Sequence, residues 1–114
     1  MKSGRYETSI RAFKIERVVG WYDIWTGDLP FSQFTLKVVE CEDGSYLASP
    51  NAFFKSNDGI EYCCGTGKTV EACVLDAITA FYDEIKKHKT IESVSESEFV
   101  WLCWTPFGAT SLNF

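Results

Sequence analysis

Few features of metalloproteins, nucleophilic enzymes or membrane proteins occur in this sequence. Histidine occurs once, at His88, and no two cysteines have the C-x-x-C spacing that structural zinc sites favour. No uncharged run approaches the roughly 20 apolar residues that a membrane span needs, and even the apolar stretch 70–85 contains four acidic residues. We therefore expect no metal, no other cofactor and no membrane segment.

Cysteine is present, but not as a disulfide framework. Its number, five, is odd, and Cys63 and Cys64 are adjacent, unlike the spaced cysteines of small secreted domains. The basic N-terminal residues Lys2 and Arg5 are not followed by the apolar segment of a secretory signal. We expect a protein that stays in the cytoplasm.

Aromatic and acidic residues are abundant. Phe, Tyr and Trp make up 16% of the 114 residues, enough to fill one core of ordinary domain size. We expect a single domain over 1–114, with 105–114 as a C-terminal tail. The net charge of −5 is concentrated in 21–64, which has two basic and seven acidic residues, whereas 1–20 has five basic and two acidic. An acidic middle segment attracts basic partners.

One helix is predicted over 69–89. Apolar residues recur there at steps of three and four, which gives a single apolar stripe. Thr69 is a suitable N-cap, and the lysines at the far end complement the helix dipole. The stripe consists of Val70, Val74, Ala77, Ile78, Phe81 and Ile85.

Strands are predicted on both sides of this helix, from β-branched and aromatic residues with tight turns at 42–45 and 56–59. The predicted strands are 6–25 (one bent strand or two), 34–40, 46–55 with a break at Pro50, 60–64 and 99–104. This order, β(β)-β-β-β-α-β, predicts an α+β fold. We expect an antiparallel sheet of four to five strands with one long helix packed on one face.

The segment GTGKT at 65–69 lies where a phosphate-binding P-loop would lie, between a strand and a helix. That loop has the pattern G-x-x-x-x-G-K-[ST], and its first glycine would fall on Tyr62. The segment is therefore interpreted as a tight strand-to-helix turn and not as a nucleotide site.

A candidate binding surface comes from the segment WYDIW at 21–25. Strand alternation places both tryptophans and the aspartate on one face. An unpaired carboxylate is costly to bury, so this face is expected to be exposed, and exposed tryptophan is frequent at binding hot spots. We expect the acidic hairpin at 40–43 to extend this surface. The predicted protein-binding residues are Trp21, Asp23, Trp25, Glu40, Glu42 and Asp43.

Three alternatives to an exposed binding face remain open at this point. The tryptophans would instead fill the core, a homodimer would cover the face, or Asp23 would pair internally with Arg11 or Arg17.

Residues 34–87 resemble the HicB-type antitoxin domain, a partially degraded RNase H-like fold. The resemblance lies in a strand (TLKVV at 35–39), an Asp-Gly turn with an aromatic strand ending near proline (EDGSYLASP at 42–50), and a helix start (GTGKTVEA at 65–72). The connection 51–59 is longer than in that family, residues 1–33 have no counterpart, and 90–114 has no basic residue that would mark a DNA-binding segment. The resemblance implies a non-catalytic domain that binds and masks a basic RNase toxin.

These observations predict a non-catalytic, acidic protein-binding or inhibitory module, antitoxin-like or anti-defence-like, whose partner is a basic, nucleic-acid-handling protein. Two alternatives stay open. A single-stranded nucleic-acid binder would use the basic N-terminal strand, where basic residues and aromatics are interleaved. A small enzyme would use Cys63 or Cys64 as its nucleophile, although nothing in the sequence places a base beside either thiol.

Overall fold

A computed structural model describes residues 15–105 and 108–111, with side chains over 15–102. This part of the chain contains eight strands, one α-helix and two short 3-10 turns, Ile91–Ser93 and Glu96–Glu98. The helix, α1, is Val70–Lys86. The strands are β1 (Arg17–Trp25), β2 (Gln33–Glu40), β3 (Tyr46–Pro50), β4 (Ala52–Ser56), β5 (Gly59–Ile60), β6 (Gly65–Gly67), β7 (Phe99–Thr105) and β8 (Gly108–Ser111).

The strands form two antiparallel sheets of four. The first sheet has the order β1-β2-β3-β6 and the second the order β5-β4-β7-β8. Helix α1 packs on one face of the first sheet, mainly against β6 and β3. The predicted α+β class and the single long helix are therefore confirmed, and a second sheet lies beside the expected one.

The helix begins and faces the sheet as its pattern predicts. The hydroxyl of Thr69 accepts a hydrogen bond from the backbone N–H of Ala72 at 3.1 Å, as an N-cap does. Three residues of the predicted stripe are buried, Ala77, Phe81 and Ile85, together with Cys73 beside them. The helix ends at Lys86, so 87–89 lie beyond it.

The segment 65–67 is a strand, so its interpretation as a turn is wrong. It pairs with β3, with Gly65 opposite Ala48 and Gly67 opposite Tyr46. A Cβ atom on Gly65 would lie 2.2 Å from the backbone nitrogen of Ala77, and one on Gly67 would lie 2.6 Å from that of Cys73. Glycine is required here because the helix backbone lies directly against the strand.

The predicted strand 46–55 is two strands in different sheets. Pro50 ends β3 in the first sheet and Ala52 begins β4 in the second. Asn51 joins the sheets, because its N–H donates to Thr35 O at 3.0 Å and its own carbonyl accepts from Leu102 N at 2.8 Å. Its side-chain oxygen also accepts from Thr35 N at 2.9 Å. The predicted break at Pro50 is where the chain changes sheet.

Two further strand predictions need correction. Only Gly59–Ile60 forms a strand in the region predicted as 60–64, so Cys63 and Cys64 do not alternate across a sheet. Tyr62 instead packs edge-on against Phe53, with ring centroids 4.7 Å apart, as the chain leaves the second sheet. The segment 105–114, expected as a tail, contains β8, which pairs with β7.

The remaining predicted turns and strands agree with the structure. Gly44 and Gly59 have φ values of 88° and 111°, the left-handed conformation that the predicted turns require. Strand β2 occupies the predicted position, and so does β7. Of the predicted strand 6–25, the structure describes β1 from Arg17 onward, and 6–14 lie outside the described residues.

The hydrophobic core lies between the first sheet and the helix and extends to the second sheet. Phe34 of β2 stacks on Phe81 of α1, with ring centroids 4.2 Å apart. Phe99 of β7 contacts the same ring at 6.1 Å. The other buried members of this cluster are Leu36, Val38, Ala48, Ala52, Phe54, Cys73, Ala77, Ile85 and Val94.

Candidate binding surface

Strand β1 carries the exposed tryptophans. Trp21 is 53% exposed and Trp25 is 72% exposed. They are opposite Lys37 and Gln33 of β2, whereas Tyr22 is opposite Leu36, which is buried. Since side chains alternate along paired strands, both tryptophans lie on the face of the first sheet that points away from α1. We call this the outer face.

Asp23 lies between the two tryptophans on the outer face. It is opposite Thr35, and its Oδ1 accepts a hydrogen bond from the Thr35 hydroxyl at 2.9 Å. Within the described residues it makes no ion pair. Arg17, one of its two anticipated partners, pairs with Glu40 at 3.3 Å. Arg11, the other, lies outside the described residues.

Lys37 is the basic side chain of β2 on the outer face, and its charge is compensated. Its Nζ lies 2.8 Å from Glu16 Oε1, with both side chains largely covered. Among the described residues of β1 and β2, no cation on the outer face pairs with Asp23. Asp23 therefore contributes a negative charge between the two tryptophans of β1.

The acidic hairpin does not join the tryptophans on one surface. Glu40 follows Leu36 and Val38 in the alternation of β2, so its side chain points to the opposite side of the sheet from Asp23. Arg17 is opposite Glu40 and Trp25 is opposite Gln33, so the start of the hairpin and Trp25 lie at opposite ends of the β1–β2 pair, about 23 Å apart. The six predicted residues form two separate groups.

Within the hairpin, Asp43 closes the turn. Its Oδ1 accepts hydrogen bonds from the hydroxyl and the N–H of Ser45, at 2.6 and 2.9 Å. These bonds hold the pKa of the Asp43 carboxyl below its usual value, the hydroxyl contributing most. Glu42 is exposed. Asp43 thus has a structural role in the turn that its acidic charge alone did not indicate.

A bulge in β1 widens the apolar surface beyond the tryptophans. The register with β2 shifts between Val18 and Gly20, which leaves Val19 without a partner on the neighbouring strand. Val18 and Val19 are each 39% exposed. Sequence alternation did not reveal these residues, because a bulge changes the face on which each following side chain lies.

The adjacent cysteines Cys63 and Cys64 have different surroundings. Burial raises the pKa of the Cys63 thiol to about 11, with added effects of the Glu84 and Glu61 carboxylates. Cys64 Sγ lies 3.6 Å from the Ser49 hydroxyl. Across the described part of the chain, no three His, Cys, Asp or Glu side chains are placed to hold a metal ion.

His88 lies just beyond the end of α1 and contacts two side chains of the molecule. Its Nε2 lies 3.3 Å from Glu84 Oε2, and its ring stacks on Phe54 with centroids 5.7 Å apart. Lys87 Nζ contacts the other oxygen of Glu84 at 3.2 Å. The sole histidine of the chain therefore covers a buried carboxylate and a core phenylalanine.

Comparison with protein-family models, with curated protein sequences and with solved structures finds no match to this chain. The HicB-type resemblance therefore stays a prediction from the residues quoted for it. Among the described residues, no helix has the length and hydropathy to cross a membrane.

Proposed function

We propose that this chain is a non-catalytic protein-binding module that holds and masks a basic, nucleic-acid-handling partner on the outer face around Trp21, Asp23 and Trp25. The observation that carries the proposal is the exposure of two tryptophans on either side of a carboxylate that has no cation beside it in the described structure. An antitoxin-like or anti-defence-like role in the cytoplasm is part of the same proposal, in keeping with the HicB-type resemblance.

The chemistry of this surface suits a lysine or arginine of the partner. Trp21 and Trp25 lie two positions from Asp23 on the same side of the strand, and tryptophan is the best aromatic acceptor of a cation. The alkyl stem of such a side chain covers apolar surface while its charged end meets the carboxylate. The net charge of −5 adds a longer-range attraction.

The same charges count against nucleic-acid binding on the outer face, whereas the basic N-terminal strand of the nucleic-acid alternative lies, apart from Arg17, outside the described residues. Aromatic side chains on an open sheet face are suited to stacking with bases, but a nucleic-acid surface also needs cations for the phosphates. On the outer face, the described cation Lys37 is held by Glu16, and Asp23 lies between the two aromatic rings. A phosphate backbone would meet a repulsive centre.

The thiol chemistry counts against the enzyme alternative. The thiolate is the nucleophilic form of cysteine, and a pKa of about 11 leaves Cys63 protonated at neutral pH. Cys64 lies beside Ser49, which supplies no strong base. His88 is engaged with Glu84 instead.

The proposal is tested with the immobilised protein and three variants, Trp21→Ala, Trp25→Ala and Leu75→Ala. Proteins retained from the native host are identified, and the affinity of each purified partner is then measured by calorimetry. Leu75 is the matched control, because it is an apolar side chain of α1 that is 58% exposed and lies away from the outer face. Truncating a tryptophan at a hot spot costs at least about 2 kcal/mol, which is roughly a 30-fold loss of affinity.

Support requires a basic protein that binds the wild type and Leu75→Ala equally and binds both tryptophan variants at least tenfold more weakly. Equal binding by all four proteins contradicts the proposed surface. Retention of nucleic acid alone, or of metabolites alone, contradicts the proposed class of partner.

A further inference from the structure

Thr35 of β2 is held from the side of the second sheet. Its backbone N–H donates to Asn51 Oδ1 at 2.9 Å, and its carbonyl accepts from the backbone N–H of Asn51 at 3.0 Å. The carbonyl of Asn51 in turn accepts from the N–H of Leu102 in β7 at 2.8 Å. The point where the two sheets meet therefore fixes the backbone of Thr35.

These bonds also decide how Thr35 faces its neighbour in β1. Both of its backbone polar groups bond to Asn51, on the side away from β1, so Thr35 and Asp23 are a non-hydrogen-bonded pair of the antiparallel ladder. Opposite residues of this kind have Cα atoms about 4.5 Å apart and side chains that lie close together. The Thr35 hydroxyl consequently reaches Asp23 Oδ1, to which it donates at 2.9 Å.

The hydroxyl restrains a carboxylate that is otherwise in solvent. Asp23 is exposed, whereas Thr35 is half-buried, and a β-branched side chain has few χ1 rotamers. A hydrogen bond to a charged acceptor is also stronger than one between neutral groups. Asp23 Oδ2 accepts no hydrogen bond from the residues that the structure describes. One oxygen is thus anchored, and the other is open to a ligand.

The surroundings of Asp23 define the kind of cation that fits. Lys37, two residues along β2 on the outer face, has its Nζ 2.8 Å from Glu16 Oε1, so its charge is engaged there. Trp25 lies two positions from Asp23 on the same face and is 72% exposed. Its ring offers apolar surface to the alkyl stem of a lysine or arginine, from which a hydrated metal ion would gain nothing.

We infer that Thr35 is a positioning residue, whose hydroxyl holds the Asp23 carboxylate ready for the ammonium or guanidinium of a basic side chain of the partner. This inference rests on the proposed function and specifies how the acidic centre of the outer face is built. An exposed carboxylate loses rotamer freedom when it forms an ion pair, which is one reason why exposed pairs are weak. Because Thr35 already restrains Asp23, less freedom is lost and the cation binds more tightly.

The inference is tested on the full chain with three variants. Thr35→Val removes the hydroxyl and keeps the branched shape, Thr35→Ser keeps the hydroxyl, and Asp23→Asn removes the charge. The probe is a short capped peptide with one central lysine between valines, and in its twin that lysine is acetylated, so that only the charge differs. Both peptides are titrated at low salt and followed by NMR at the indole of Trp25. The preference is the ratio of the two dissociation constants.

We expect the wild type and Thr35→Ser to prefer the charged peptide about two- to fivefold more than Asp23→Asn does, the range of exposed ion pairs. Thr35→Val is expected to fall to the preference of Asp23→Asn, and the double variant to equal Asp23→Asn alone, since Thr35 acts through Asp23. In the free protein, three-bond couplings about χ1 of Asp23 are expected to show one rotamer in the wild type and in Thr35→Ser. The same couplings are expected to be averaged in Thr35→Val.

A wild-type preference equal to that of Asp23→Asn overturns the inference, and so does a preference that Thr35→Val leaves unchanged. Averaged couplings of Asp23 in the wild type overturn it without any ligand. If the double variant loses more than Asp23→Asn alone, Thr35 acts by a route other than Asp23 and the positioning role is rejected.

The proposed function fails separately. A basic host partner that is lost from Trp25→Ala and binds Thr35→Val as tightly as the wild type upholds the proposed function and rejects the positioning role. A preference for the charged peptide that depends on the Thr35 hydroxyl, in a protein that retains no basic partner from its host, upholds the positioning role and rejects the proposed function.

Discussion

Close backbone contact between strand β6 and helix α1 depends on individual small residues. Gly65 lies against Ala77, and Gly67 lies against Cys73. None of these four residues has a large side chain, so the helix lies lower on the sheet here than larger residues would permit. The glycines of GTG at 65–67 are also found in phosphate-binding loops, but here they are required because the helix backbone packs against them.

Gly65→Ala is expected to destabilise the protein by about 1–3 kcal/mol or more. The new Cβ would lie 2.2 Å from a helix backbone atom, so the strand or the helix has to move. Gly27→Ala is the control, because its Cβ would have no neighbour within 4 Å, and little change is expected there. Urea unfolding followed by circular dichroism measures both, and equal midpoints would contradict the packing role of Gly65.

The thiol of Cys63 is expected to make stability depend on pH in the alkaline range. Its pKa rises from 9.0 to about 11 on folding, chiefly through burial. Above about pH 9 the unfolded chain therefore releases a proton that the folded protein retains, and the free energy of unfolding falls as the pH rises toward 11. Below pH 9 this thiol has no such effect.

The variant Cys63→Ala is expected to show a shallower fall between about pH 9 and about pH 11 in urea unfolding. Tyr82, whose pKa is raised to about 12 by burial and by Asp28, contributes to the fall in both proteins, so their difference isolates the thiol. Parallel curves for the two proteins would show that Cys63 ionises alike in the folded and unfolded states.

Elements governed by local sequence could be predicted, and elements that depend on sheet assembly could not. The helix has its own period and N-cap, and the hairpin turn has Asp-Gly, so both were predicted at the correct positions. The split at Pro50 between two sheets depends on the bonds that Asn51 makes with Thr35 and Leu102. No short-range pattern encodes those bonds.

In the candidate site, too, what depends on local sequence could be predicted and what depends on sheet assembly could not. The exposure of the face containing Trp21, Asp23 and Trp25 followed from the cost of burying a carboxylate, an argument that needs only neighbouring residues. The position of Glu40 on the other side of the sheet, and at the other end from Trp25, depends on the register of β1 with β2. The sequence prediction placed Glu40 on one surface with the tryptophans because of its charge, whereas the register of β1 with β2 separates them.

At the level of the helix, Phe81→Ala is expected to cost about 3–5 kcal/mol. The ring is 3% exposed and stacks on Phe34, so its removal leaves a cavity between α1 and the first sheet. Lys86→Ala, an exposed position in the last turn of the same helix, is expected to be close to neutral. Lys87 is a poorer control, because it contacts the buried Glu84. Similar thermal midpoints for Phe81→Ala and Lys86→Ala would contradict this packing of the helix.

For the whole molecule, charge and apolar contact are expected to affect different steps of partner binding. The net charge of −5 acts at long range and accelerates the approach of a basic protein, whereas the tryptophans act only on contact. Raising the salt concentration from about 50 to about 300 mM shortens the distance over which charges interact. The association rate constant of the basic partner is therefore expected to fall several-fold, with a smaller change in dissociation.

Trp25→Ala is expected to give the opposite pattern, a dissociation rate raised at least tenfold with the salt dependence of association unchanged, because the substitution removes contact area and no charge. Surface plasmon resonance on the immobilised partner separates the two rate constants, and Leu75→Ala again serves as the exposed apolar control. An association rate that does not respond to salt would mean that the acidic surface does not guide the partner. A dissociation rate unchanged in Trp25→Ala would place the contact elsewhere on the molecule.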